Sequence, residues 1–159
     1  MRRLMMMGLA LIAAAPAVAA DYVVIALHAD VAAPADAAWA KVGSYCDIGK
    51  WAKMPCELIS GTGGVGSVRR LLGGVIEEPM HAATAHSYTY GQSVGMNKDI
   101  DYHGTLAIEP TGAATSRIDY TLVYDAARIA PEKRAGMPDQ LRQTFGPIVQ
   151  NIKLMAEAK

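Results

Sequence analysis

Val31-Ala32-Ala33-Pro34-Ala35-Asp36-Ala37-Ala38-Trp39, continued by Lys50-Trp51 and by Gly61-Thr62-Gly63-Gly64-Val65-Gly66, is the stretch that decides the fold. Pro34 fixes φ at a helix start and Asp36 favours its first turn, so a strand over Tyr22 to Val31 hands over to a short helix through Trp39. A second helical turn is expected around Asp47 to Ala52. The glycines then follow a short strand, Glu57 to Ser60, and lead into another strand. They do not open a helix, so the phosphate site of a nucleotide loop is missing.

Downstream the pattern is mostly β. Ser67 to Leu72 faces Val75 to His81 across the two-residue loop Gly73-Gly74, which sets the register as Leu72 with Val75, Leu71 with Ile76, Arg70 with Glu77 and Arg69 with Glu78. His86 to Val94 and Tyr102 to Glu109 read as two more strands. A last strand, Thr115 to Tyr124, alternates Ile118, Tyr120, Leu122 and Tyr124 against Arg117, Asp119, Thr121 and Asp125. A turn-rich connector, Ala130 to Pro138, precedes a helix from about Asp139 whose apolar stripe is Leu141, Phe145, Ile148, Ile152 and Met155. Gly146-Pro147 interrupts that helix and predicts a bend near Phe145.

This order, together with Arg69, the Gly73-Gly74 turn, Glu78, Tyr88-Thr89-Tyr90 and Tyr102 to Thr105, resembles the SRPBCC superfamily over residues 22 to 157, in its polyketide cyclase/dehydrase and lipid-transport branch. The resemblance implies an α+β helix-grip fold. A curved antiparallel sheet of about seven strands wraps a long C-terminal helix, two short helices follow the first strand, and a cavity lies between sheet and helix. The resemblance also implies that the Gly-rich stretch lies beside the cavity mouth.

The chain has 159 residues, enough for one domain, and its start has the form of a signal peptide. Arg2-Arg3 form a positive region, Leu4 to Ala15 an apolar one, and Ala17-Val18-Ala19 or Val18-Ala19-Ala20 a small-residue cleavage site. The division expected is therefore leader 1–20 and a single domain 21–159, exported to the periplasm or secreted. Removing Arg2 and Arg3 leaves 13 Lys and Arg against 15 Asp and Glu, a formal charge of −2. No basic stripe remains, which argues against nucleic acid as a partner.

In an oxidising compartment Cys46 and Cys56, ten positions apart, are expected to form a disulfide. The rival, a redox-active pair, lacks Cys-x-x-Cys spacing. The histidines, His28, His81, His86 and His103, match no zinc pattern. No metal and no cofactor is therefore assigned. His103, beside Asp101, has the chemistry for proton transfer, but alternation with Tyr102, Leu106 and Ile108 turns it outward. No Gly-x-Ser-x-Gly elbow or triad setting surrounds any serine.

The candidate wall of the implied cavity is Leu71, Ile76, Met80, Tyr88, Tyr90, Leu106, Ile108, Ile118, Tyr120, Leu122, Phe145, Ile148 and Ile152. Arg69 and Glu78 share a face with Leu71, Ile76 and Met80. Either they point into the cavity, with the guanidinium free to hold a carboxylate or enolate, or they form an exposed ladder pair at its rim. The leading reading is a binding protein for a small hydrophobic or aromatic molecule, with Arg69, Glu78, Tyr88, Tyr90 and Tyr102 as polar contacts. The alternatives are a cyclase, aromatase or lyase using the same cavity, and an MxaD-like accessory protein with a periplasmic protein partner.

Overall fold

The computed structural model describes residues 19–158; the leader region proper therefore lies outside the described residues, apart from Ala19 and Ala20. Strand β1 is Tyr22–Val31, and the helices that follow are α1, Ala35–Val42, and α2, Ile48–Trp51. Pro34 caps α1 with φ −59°, the value its ring imposes. Strands β2 (Cys56–Ser60), β3 (Val68–Leu71), β4 (Ile76–Thr84), β5 (Ser87–Gly91), β6 (His103–Gly112) and β7 (Thr115–Asp125) come next. Helix α3, Pro131–Arg134, lies in the connector, and α4, Met137–Glu157, closes the chain.

The seven strands form one sheet in the order β1-β7-β6-β5-β4-β3-β2, and every neighbouring pair is antiparallel. β1 and β2 are consecutive strands but opposite edges, so α1 and α2 carry the chain across the sheet. Helix α4 packs on β1 and α1, and its buried residues Leu141, Ile148, Val149, Ile152 and Ala156 follow a helical period. Opposite them lie Ile25, Leu106, Ile108, Ile118, Tyr120 and Leu122, each at most 1 % exposed. Each such aliphatic side chain contributes about 1.5–3 kcal/mol by leaving water.

Register through the β3–β4 hairpin is as the sequence indicates, with Leu71 opposite Ile76, Arg70 opposite Glu77 and Arg69 opposite Glu78. The turn is longer than two residues, so the expected pairing of Leu72 with Val75 is not made and both lie in the turn. Leu72, Gly73 and Gly74 all adopt positive φ, at 51°, 68° and 110°, and β3 ends at Leu71. Gly73 and Gly74 take that conformation without a Cβ penalty, which lets the register survive a wider turn. Alternation along β7 runs as read to Tyr124, but Asp125 is buried with it. There the strand ends, and the Asp125 carboxylate accepts N–H bonds from Ala127 at 3.0 Å and Asp21 at 2.9 Å.

Helix α4 begins two residues earlier than expected and runs through Pro147 as a single element. Pro147 is on the exposed side, where water can take the carbonyl that proline leaves unbonded. The Gly61 to Gly66 run does not itself line the cavity; it folds back on Ser67, whose Oγ accepts the Gly63 N–H at 2.9 Å.

Candidate functional site

Between the concave face of the sheet and α4 is a cavity of about 590 Å³. Helix α2 contributes Ile48 and Trp51, and the hairpin contributes Leu71, Ile76 and Glu78. The far wall is Tyr90, Ile100 and Tyr102, and the roof is α4 with Met137, Leu141, Thr144, Phe145 and Ile148. Gln92, Met96 and Asn97 from the β5–β6 loop and Glu132 and Lys133 from α3 edge it. Met96 is 90 % exposed, so this edge is the open side.

Seven of the residues singled out from the sequence line this space: Leu71, Ile76, Glu78, Tyr90, Tyr102, Phe145 and Ile148. Arg69, Met80, Tyr88, Leu106, Ile108, Ile118, Tyr120, Leu122 and Ile152 do not line it. They are buried in the core, each at most 4 % exposed. The rim alternative for Arg69 and Glu78 is therefore overturned, and so is a guanidinium free to hold a ligand.

Arg69 is fully enclosed. Its Nε donates to Glu78 Oε2 at 2.8 Å, and its Nη2 lies 2.7 Å from the same oxygen. Nη1 donates to the Tyr45 carbonyl at 2.7 Å, and the guanidinium stacks between the rings of Tyr45 at 4.3 Å and Tyr90 at 4.6 Å. Desolvating a guanidinium is expensive, and here Nε and Nη1 are hydrogen-bonded while Nη2 has only its ionic contact with Glu78. Tyr45 also donates through its hydroxyl to the Glu78 carbonyl at 2.9 Å. Arg69 is thus a cross-tie from the α1–α2 segment to the hairpin.

Glu78 faces both ways. One oxygen is taken by Arg69; the other, Oε1, lies on the side of Gln92, whose Nε2 is 3.4 Å away. Burial pushes the Glu78 carboxyl above its ordinary range, and the two contacts from Arg69 pull against that shift. Around the pair, burial also raises the phenols of Tyr90, Tyr102 and Tyr120, so they stay protonated. The Tyr90 and Tyr120 hydroxyls are hydrogen-bonded to each other at 2.6 Å. Gly104 makes that packing possible, since a Cβ there would stand 2.4 Å from the Tyr90 ring.

The Cys46–Cys56 disulfide is present, with a Cα separation of 5.5 Å. It ties the segment that carries Tyr45 and α2 to the start of β2, and so fixes one wall of the cavity. Asn151 on α4 adds a second tie, donating to the Trp51 carbonyl at 3.0 Å.

None of the histidines lines the cavity. His103 is on the outer face, 3.2 Å from Asp101, and His86 pairs with Asp36 at 2.6 Å on the surface. Among the described residues, no three His, Cys, Asp or Glu side chains gather in a metal-binding arrangement. β5 ends at Gly91, short of the expected Val94, so Gln92 lies in the following loop with Met96 and Asn97, and a loop residue has no periodicity to place it. Trp51 and Ile48 could have been found from their place in the second short helix.

Known structures share this architecture. Truncated norcoclaurine synthase from Thalictrum flavum superimposes with a TM-score of 0.68 at 23% identity, covering 91% of this chain and 99% of that one. Ara h 8.0201 gives 0.63 at 17% identity, covering 86% and 98%, and the protein XoxI from Bacillus cereus gives 0.66 at 16%, covering 82% and 93%. At such identities the likeness is one of fold. No curated protein matches the chain. The family model described as polyketide cyclase / dehydrase and lipid transport matches residues 12–153, nearly the whole length, and the chain belongs to that family.

Proposed function

We propose that this protein encloses one small hydrophobic or amphipathic molecule between the sheet and α4. The observation that carries this reading is a cavity of about 590 Å³ with apolar walls and a single buried acid at its base. A space of that size suits a ligand of drug-like dimensions, and mostly apolar walls with few polar groups are the usual composition of such a site. Phe145, Ile148, Tyr90 and Tyr102 would contact the ligand directly together with Glu78. Arg69, Tyr88 and Tyr120 would act from behind, by keeping Glu78 and Tyr90 in place.

Export of the mature domain belongs to the same reading. The disulfide fits an oxidising compartment, and the sequence of the first twenty residues fits a cleaved leader. Native mass spectrometry of the protein purified from its own host tests both points. A mature mass starting at Ala20 or Asp21 and a bound small molecule are the expected result. A retained leader removes the export reading, and a protein that neither copurifies with a ligand nor binds an uncharged apolar dye removes the binding reading.

One observation favours a second reading, an acid–base enzyme of the cyclase, aromatase or lyase type. Glu78, its proton affinity raised by burial, shares the cavity wall with two protonated phenols. Turnover of a bound molecule that is abolished by Glu78→Gln, with binding retained, would select this reading.

A further inference from the structure

We propose that the base of the cavity selects an uncharged hydrogen-bond donor, the hydroxyl of an alcohol or phenol, and rejects a carboxylate. This rests on the binding reading above and names the chemistry of the ligand's head group. Arg69 cannot serve an acidic head. It does not line the cavity, its nitrogens face Glu78 and the Tyr45 carbonyl, and aromatic rings cover its faces. The buried charged group that the cavity does present is Glu78.

Glu78 Oε2 accepts from Arg69 Nε at 2.8 Å and has Nη2 in ionic contact at 2.7 Å. Oε1 has only the long 3.4 Å contact from Gln92, and a carboxylate oxygen can accept two hydrogen bonds. A donor reaching the base of the cavity therefore finds an acceptor with spare capacity. Charge decides which donor. An anion would lie against Glu78, and a cation would place a second positive charge one carboxylate away from Arg69, beside two groups that are themselves buried. Because the Arg69–Glu78 pair is already neutral, a neutral O–H is the head group that adds a hydrogen bond without adding charge. Glu132 and Lys133 at the mouth are exposed neighbours of opposite sign, so they give no net preference.

The test displaces an uncharged dye, N-phenyl-1-naphthylamine, from the whole mature chain at neutral pH with decan-1-ol, its methyl ether, decanoate and decylammonium. Alcohol and ether are both uncharged and differ in the donor. The alcohol is expected to displace the dye at roughly tenfold lower concentration than the ether, the gain of one hydrogen bond to a charged acceptor, and decanoate and decylammonium are expected to be weaker still. In the double variant Arg69→Met/Glu78→Leu, alcohol and ether should become equal. Equal displacement by alcohol and ether in the native chain overturns the proposal, as does decanoate or decylammonium matching the alcohol. Both comparisons need no variant, so a double variant that fails to fold does not protect the proposal. Failure of the dye to bind the native chain is a different result: it removes the binding reading, and the head-group proposal falls with it.

Discussion

Arg69 and Glu78 are cross-strand partners that meet wholly inside the protein, Nε to Oε2 at 2.8 Å, and only the acid reaches the cavity. The base has become part of the scaffold. It bonds the Tyr45 carbonyl on one side and Glu78 on the other, so the pair joins the α1–α2 segment to the sheet.

This relationship predicts a stability effect larger than that of any surface pair. Arg69→Met leaves the Glu78 charge buried without its partner and is expected to lower unfolding free energy by about 3–5 kcal/mol. Adding Glu78→Leu should recover most of that loss, because two apolar groups no longer carry a desolvation penalty. Urea unfolding followed by circular dichroism measures both; a single variant within about 1 kcal/mol of the native chain contradicts the account.

Reduction of Cys46–Cys56 should destabilise the fold. The bridge closes a loop of sequence separation 10, which the chain-entropy relation converts to about 3 kcal/mol. Because α2 lines the cavity, the Cys46→Ser/Cys56→Ser variant should also bind dye more weakly at temperatures where it is still folded. Thermal unfolding with and without reductant, alongside dye titration, gives both readings, and identical midpoints would show that the bridge carries no such load.

Ile148 projects from α4 into the cavity roof and is 8 % exposed. Ile148→Trp is expected to fill the space and reduce dye affinity by tenfold or more, roughly the loss of one well-packed contact region. Fluorescence titration of a variant with native circular dichroism decides it; unchanged affinity would put the site elsewhere.

Acid sensitivity should involve Asp125. The Asp21 N–H foremost, then the Ala127 N–H and the Arg128 guanidinium, hold its carboxyl below its ordinary value of 3.8. A depressed folded-state value means that this group stabilises the fold above the unfolded value. The contribution is lost as pH falls from about there through the folded value. Asp125→Asn should flatten the stability profile below pH 4 relative to the native chain, roughly one ordinary carboxylate value. Parallel acid limbs in the two proteins would exclude the role.

Gly104→Ala brings a methyl group to 2.4 Å from the Tyr90 ring if nothing moves. The expected loss is about 1–3 kcal/mol, with the Tyr90–Tyr120 hydrogen bond broken as the ring shifts. Denaturant unfolding reports the first. A change in the near-ultraviolet tyrosine signal reports the second, and a silent variant would mean that the strand yields instead.

Strand parity and register were legible along the chain. The glycines Gly73-Gly74 bring Arg69 opposite Glu78, and period-two alternation puts Tyr102, Leu106, Ile108, Tyr120 and Leu122 on one buried face. The stripe Leu141, Ile148, Ile152 likewise fixes which side of α4 meets the sheet. These follow from local rules, a turn that sets pairing and a repeat that sets a face. Depth was not legible. Alternation says that Arg69, Tyr88 and Tyr120 point inward, but whether an inward side chain meets empty space or other atoms depends on what covers it. That covering is non-local. Tyr45, brought over the hairpin by the α1–α2 crossing and pinned by the disulfide, closes over Arg69 and meets Tyr88 edge to face, while Trp51 and Phe145 pack on Tyr120. The sequence by itself determined the sheet, its pairing and the helix that grips it. Only the tertiary structure decided that the acid of the buried pair faces the cavity and the base does not, because that outcome depends on packing between segments far apart in the chain.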